Sequence, residues 1–153
     1  MTLRTKLTEA LKDAMRNKEV DRLSTLRLIN AAIKDRDIAL RGTEAEEAGV
    51  SDDDILGILG KMVKQRQESA KAYEEGARLE LADKERAEIV VIEEYLPKQM
   101  NADETANAVR AAIANVGAES IRDMGKVMGE LKGKFMGRMD FGKVGPMVKD
   151  LLG

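Results

Sequence analysis

The sequence has no cysteine and no histidine. Without cysteine there can be no disulfide and no thiolate metal site. Without histidine the commonest general base, the usual activator of serine and cysteine nucleophiles and the commonest metal ligand are all missing. Chemistry performed by this chain alone would rest on Asp, Glu, Lys, Tyr or Ser. Aromatic residues are scarce, at 3% of 153 residues. No apolar run approaches the roughly 20 residues of a membrane span, so no membrane partner is expected. The start, Met1-Thr2-Leu3-Arg4, lacks the basic and apolar regions of a signal peptide. The expected compartment is the cytoplasm.

What is present is aliphatic and charged. Hydrophobic residues make up 43% and charged residues 35%, with a net charge of -2. That profile fits a soluble helical protein rather than a disordered one.

Helical periodicity runs through the chain. Leu3, Leu7, Leu11 and Ala14 mark a first helix ending near Asn17-Lys18. A second is expected from Asp21 as cap, with Leu23, Leu26, Ile29, Ile33 and Leu40 facing inward and Gly42 as its stop. An acidic loop carrying Glu44, Glu46 and Glu47 follows. Ser51 can cap a third helix whose face holds Ile55, Leu59, Met62, Arg66, Ala70 and Tyr73. Arg66 and Tyr73 on that face call for buried polar partners; Arg27 and Arg78 can pair with Glu85 or Glu88. A fourth helix spans Leu79 to Leu96, where Pro97 ends it. No stretch reads as a strand. Asn101 or Asp103 then caps a helix with Ala106, Val109, Ile113 and Val116, ended by Gly117. Two more short helices follow. The expected fold is all-α: a four-helix N-terminal bundle over 1–97, then a small three-helix C-terminal domain over 98–153.

One stretch departs from plain helical patterning. Ile121, Met124, Met128, Leu131 and Phe135 recur as an apolar face, and Ser120 or Asp123 can cap it. Gly125, Gly129, Gly133 and Gly137 recur every four residues on the same span. A helix-interior glycine costs roughly 1 kcal/mol relative to alanine, so several need a reason. They allow either close packing of two helices or close approach of a large anionic surface. On spacing alone the first is the commoner. From Ile121 to Lys149 there are seven basic and three acidic residues, a local charge of +4. Nucleic-acid backbone is the obvious anionic candidate.

A series of short motifs runs through the chain in order. It comprises Leu26-Arg27, Ala31-Ala32-Ile33-Lys34, Lys64-Gln65-Arg66-Gln67-Glu68-Ser69, Gly76-Ala77-Arg78, Lys84-Glu85, Glu88-Ile89 and Tyr95-Leu96-Pro97. It closes with Asp123-Met124-Gly125-Lys126-Val127-Met128-Gly129 and Gly137-Arg138-Met139-Asp140. In this the chain resembles the YqeY family over essentially its whole length. The C-terminal part of that family is similar to the tail domain of GatB, a subunit of the tRNA-dependent amidotransferase.

The resemblance implies a larger helical bundle and a smaller helical tail, and, by analogy with the amidotransferase, contact with tRNA. Similar modules occur attached to a glutaminyl-tRNA synthetase. The positions here that match the tail's motif are Gly125, Lys126, Gly129, Gly137 and Arg138. Lys132, Lys134 and Lys143 are added on charge alone. Two departures stand out. Met139-Asp140-Phe141-Gly142-Lys143 replaces an Ala-Asp-Gly-Lys-like turn, and Gly145-Pro146 falls where the last helix should run. Proline breaks a helix interior, so that helix is expected to start at Gly145 or to kink there.

The leading expectation is a tRNA-binding accessory module, with an aminoacyl-tRNA synthetase or amidotransferase as possible protein partner. The family is associated with glutamine-dependent carbon–nitrogen ligase activity. A glutaminase needs an activated nucleophile, and Gly-x-x-x-Gly spacing without a following Gly-Lys-Ser/Thr is not a phosphate-binding P-loop. No catalytic residue, metal or cofactor is therefore expected in the isolated chain. The alternatives are a contribution to amidotransferase activity as a subunit, or a protein–protein adaptor. The adaptor reading draws on Met124, Met128, Met136, Met139 and Met147, since methionine suits adaptable surfaces as well as cores.

Overall fold

A computed structural model describes residues 2–153; Met1 of the N-terminal tetrapeptide lies outside it. Among the described residues the fold is all-α, with seven α-helices, one 3-10 turn and no strand. Contacts divide the chain into two compact units, Met1–Leu96 and Pro97–Gly153.

The N-terminal unit holds α1 (Leu3–Arg16), α2 (Val20–Leu40), α3 (Asp52–Glu75) and α4 (Leu79–Glu93). Thr2 and Ser51 start α1 and α3. Thr2 Oγ1 accepts the Thr5 amide at 3.1 Å. Ser51 and Asp54 exchange side-chain and backbone hydrogen bonds in a capping box. The core joins Leu7 and Ala14 of α1, Leu26, Ile29 and Ile33 of α2, Ile55, Leu59 and Met62 of α3, and Ile92 of α4. Ion pairs stitch the helices at the edge of that core. Arg4 pairs with Asp37 between α1 and α2, and Arg86 with Glu74 between α4 and α3. Arg22 of α2 pairs with Glu94 and donates to the Tyr95 hydroxyl at 2.7 Å, just past α4.

Three expectations for this unit change. Asp21 is not the cap of α2; the helix begins at Val20, with Glu19 in the cap position and no side-chain cap bond. The Glu19 carbonyl already accepts the Leu23 amide at 2.8 Å, which moves the helix start back. Second, α4 ends at Glu93 rather than Leu96. Tyr95 and Leu96 instead make tighter bonds to the carbonyls of Ile92 and Glu93. Third, Glu88 takes Arg66 as its partner, while Arg27 and Arg78 are exposed.

The C-terminal unit holds α5 (Ala102–Val116), the 3-10 turn Ile121–Asp123, α6 (Met124–Phe135) and α7 (Phe141–Leu152). Asn101 and Glu104 cap α5 reciprocally, at 2.8 and 3.2 Å. Gly117, at φ +65°, stops it in the left-handed conformation that glycine adopts without strain. Its core is Val109, Ala112, Val127, Leu131, Met139, Val144 and Val148. Of the expected α6 face, Ile121 is 45% exposed, and the fully buried Val127 takes its place.

The last helix does not start at Gly145: α7 runs from Phe141 through Pro146 to Leu152. Asp140 sets the earlier start, its carboxylate accepting the Gly142 amide at 2.9 Å. Pro146 leaves the Gly142 carbonyl without its usual donor. Both residues are exposed, so the loss falls at the surface.

Candidate nucleic-acid interface

α6 has two unlike sides. At about 100° per residue, Val127 and Leu131 lie inward together with the half-buried Met124, Met128 and Phe135. Gly125, Gly129 and Gly133 fall on the opposite side. A Cβ added to any of the three meets no atom within 4 Å. Close helix packing is therefore not what these glycines serve within the C-terminal unit. Three of them on an exposed face cost about 3 kcal/mol relative to alanine.

Lys126 and Lys132 flank the bare face on either side. Lys126 is 72% exposed, and its Nζ lies 3.9 Å from Asp123 Oδ1. Lys132 is exposed, with Nζ 6.0 Å from the centroid of the Phe141 ring. Lys134 belongs to another edge, where its Nζ sits 2.8 Å from Glu130 Oε1. That carboxylate also accepts the Asn115 side-chain amide of α5 at 3.3 Å. Lys143 is exposed on the first turn of α7.

Gly137 and Arg138 are not part of the helical stripe. Gly137 lies beyond the end of α6 at φ +82°. With Met136 at φ -54°, ψ 127° and the Arg138 amide 2.9 Å from the Phe135 carbonyl, this is a type II turn. The glycine is there for its backbone conformation. Arg138 also takes part in the unit's own bonding. Its Nε donates to the Lys98 carbonyl at 3.0 Å, and its guanidinium carbon lies 5.9 Å from the Phe135 ring centroid. Its own carbonyl accepts the Met100 amide at 2.9 Å, and Gln99 donates its side-chain amide to the Gly137 carbonyl.

The acids of this region serve the unit's own caps and pairs. Asp123 accepts the Glu119 amide at 3.0 Å, which holds its carboxyl below the usual range. Glu130 is held low first by its hydrogen bond to Lys134 and then by Asn115. Asp140 caps α7. Between Pro97 and Gly153 there are nine basic and seven acidic side chains, a net of +2; the rest of the chain carries -4. The cationic α3 face of Lys61, Lys64 and Lys71 is interrupted by Glu68 and Glu75. No group of three or more carboxylates that could hold a metal occurs among the described residues. An open groove of about 500 Å³ lined by Met124, Gly145, Pro146, Lys149 and Asp150 holds no nucleophile–base pair.

Residues 4–152 match the sequence model of the family described as Yqey-like protein. The chain belongs to the YqeY family. Curated relatives include "Altered inheritance of mitochondria protein 41, mitochondrial" of Saccharomyces cerevisiae, 26% identical over 129 residues, covering 81% of this chain and 67% of the relative. The protein of the same name from Pyrenophora tritici-repentis is 25% identical over 151 residues, covering 97% and 80%. An uncharacterised protein of Schizosaccharomyces pombe is 26% identical over 92 residues, covering 60% and 70%. The names place two of these relatives in mitochondria and state no substrate for any of them.

In this YqeY chain, then, Gly125, Lys126, Gly129 and Lys132 share one exposed face. Lys143 stands on a neighbouring helix and Lys134 is paired at an edge. Gly137 and Arg138 build a turn that clasps residues 98–100. Gln99 and Met100, which complete that clasp, carry no periodicity or charge to single them out; Gln99 lies 38 positions from its partner.

Proposed function

We propose that the chain is a tRNA-binding accessory module, working beside an aminoacyl-tRNA synthetase or the tRNA-dependent amidotransferase. The observation that carries this is the outward side of α6, where Gly125, Gly129 and Gly133 pack against nothing in the C-terminal unit and Lys126 and Lys132 flank them. Bare peptide backbone admits a bulky partner, and flanking ammonium groups neutralise phosphates. On this reading carbon–nitrogen ligation belongs to the partner, since the chain can form no Cys–His or Ser–His nucleophile–base pair. The proposed compartment is the cytoplasm.

For the adaptor alternative, Met136 is half-buried and the other four methionines lie in or against the core. Met139 is buried, and Met124, Met128 and Met147 pack against the core. An apolar contact would also be indifferent to salt.

The test is binding of bulk tRNA across a salt series by the wild type and by Lys126→Glu/Lys132→Glu/Lys143→Glu. All three side chains are exposed, so helicity is expected to survive. The wild type should weaken steeply with salt, and the variant's log–log slope should be smaller by about 3. Absence of binding at low salt, or equal binding by the variant, overturns the proposal.

A further inference from the structure

We infer that the joint between the two units is a hinge confined to the Leu96–Pro97 link. Each unit clamps its own end of that link, so reorientation takes place about two backbone torsions and not through a loose linker. The inference is independent of RNA binding. Pro97-Lys98-Gln99-Met100 carries no helical period and reads as an ordinary connector. In the structure that connector has no slack.

The bundle holds the chain up to Leu96. Tyr95 and Leu96 pack against the N-terminal core. Their amides donate to the carbonyls of Ile92 and Glu93, each at 3.1 Å. Arg22 of α2 clamps the same segment from the side, pairing with Glu94 and donating to the Tyr95 hydroxyl at 2.7 Å. Leu96 is thus held at its amide and at its side chain, which leaves only its ψ to turn.

The C-terminal unit takes hold one residue later. Gln99 donates its side-chain amide to the Pro97 carbonyl at 3.2 Å and also to the Gly137 carbonyl. Arg138 Nε donates to the Lys98 carbonyl at 3.0 Å. The Met100 amide donates to the Arg138 carbonyl at 2.9 Å, and Met100 packs against the second core. The turn after α6 therefore grips 97–100 through side chains and backbone alike.

Three torsions lie between the last group held by the bundle and the first held by the C-terminal unit: Leu96 ψ, Pro97 φ and Pro97 ψ. The pyrrolidine ring locks the second. It also crowds the preceding residue and confines the first to extended values. What remains is a narrow swing at Leu96 and a wider one at Pro97. A Gly/Ser linker of the same length would behave as a flexible coil; this joint pivots.

The test is NMR relaxation of the backbone amides in the full chain. The variants are Gln99→Ala/Arg138→Met, which removes the side-chain grip, and a Gly-Ser-Gly-Ser insertion between Leu96 and Pro97, which leaves every bond named above in place. In the wild type the Lys98, Gln99 and Met100 amides should have order parameters of about 0.85, as in a rigid backbone, and the two units should share one rotational correlation time. The insertion should split that into two, the shorter belonging to the smaller unit. The double variant should lower the order parameters of Lys98 and Gln99 toward about 0.6 while the helices keep theirs. Two correlation times in the wild type overturn the inference. So does a single one in the insertion variant, which would mean that something other than the joint couples the units. Unchanged order parameters in the double variant overturn it as well.

Discussion

Arg66 Nε lies 2.8 Å from Glu88 Oε2, joining α3 to α4 with the two side chains only 14% and 16% exposed. The same guanidinium donates to the Met62 carbonyl at 3.2 Å. An arginine placed by periodicity on an apolar face is thus satisfied from two directions.

Removing one partner leaves the other charge desolvated. Arg66→Leu is expected to cost about 2–3 kcal/mol, between the values for exposed and fully buried pairs. Arg66→Leu/Glu88→Leu should recover more than half of that loss. Urea unfolding followed by tyrosine fluorescence reports on this unit alone, because Tyr73 and Tyr95 both lie in it. Equal destabilisation by the single and double variants would show that the pair is not the origin.

The glycines should split into two groups. Gly125→Ala, Gly129→Ala and Gly133→Ala each place a methyl in open space on a helix, and each is expected to stabilise by about 0.5–1 kcal/mol. Gly137→Ala should destabilise by about 1–2 kcal/mol, since φ +82° suits glycine alone. Thermal melts followed by far-ultraviolet circular dichroism separate the two signs. A loss of stability at Gly129→Ala would mean that something does pack there.

Arg138 should behave as a structural residue. Arg138→Met keeps an apolar stem against Phe135 but gives up the bond to the Lys98 carbonyl, at a cost of about 1 kcal/mol. Faster amide exchange at Met100, whose N–H is bonded to the Arg138 carbonyl, is the direct readout. The salt slope of tRNA binding should stay that of the wild type. A slope reduced as far as in Lys126→Glu would return Arg138 to the phosphate contacts.

Acid should loosen the C-terminal unit in a defined window. Asp123 and Glu130 are held below their ordinary values of 3.8 and 4.5, first by the Glu119 amide and by Lys134 respectively. A carboxylate lowered in the folded state stabilises fully above its unfolded value, and that share is lost as pH falls through the lowered one. Melting temperature should therefore drop below about pH 4, and less so in Asp123→Asn/Glu130→Gln. Between pH 6 and 8, with no histidine in the chain, tRNA affinity should be flat. A step there would point to a titrating lysine or carboxyl group at the interface.

Local signals were legible wherever the physics is local. Ser51, Asn101 and Gly117 announce helix ends because a cap or a left-handed stop is settled within four residues. The β-branched run Ile89–Ile92 stays helical within charged helical flanks. What could not be read is set by partners distant in sequence. Arg66 needed a partner, but only packing of α3 on α4 names Glu88. Ile121 fits the period of α6, yet it falls in the 3-10 turn, where the helical phase is lost. Gly137 keeps the four-residue spacing and still leaves the helix. At the candidate interface, charge and spacing pointed to Lys126 and Lys132. They could not disclose that Arg138 is held from within.

α5 and α6 differ in how they come to be helical. α5 is sealed at both ends by Asn101 with Glu104 and by Gly117, whereas α6 has no side-chain cap bond and tolerates its three bare glycines only through Val127, Leu131 and their half-buried neighbours. The outward face thus has no existence apart from the inward one. A cavity made at Val127 or Leu131 would erase the proposed binding surface by dissolving the helix that displays it.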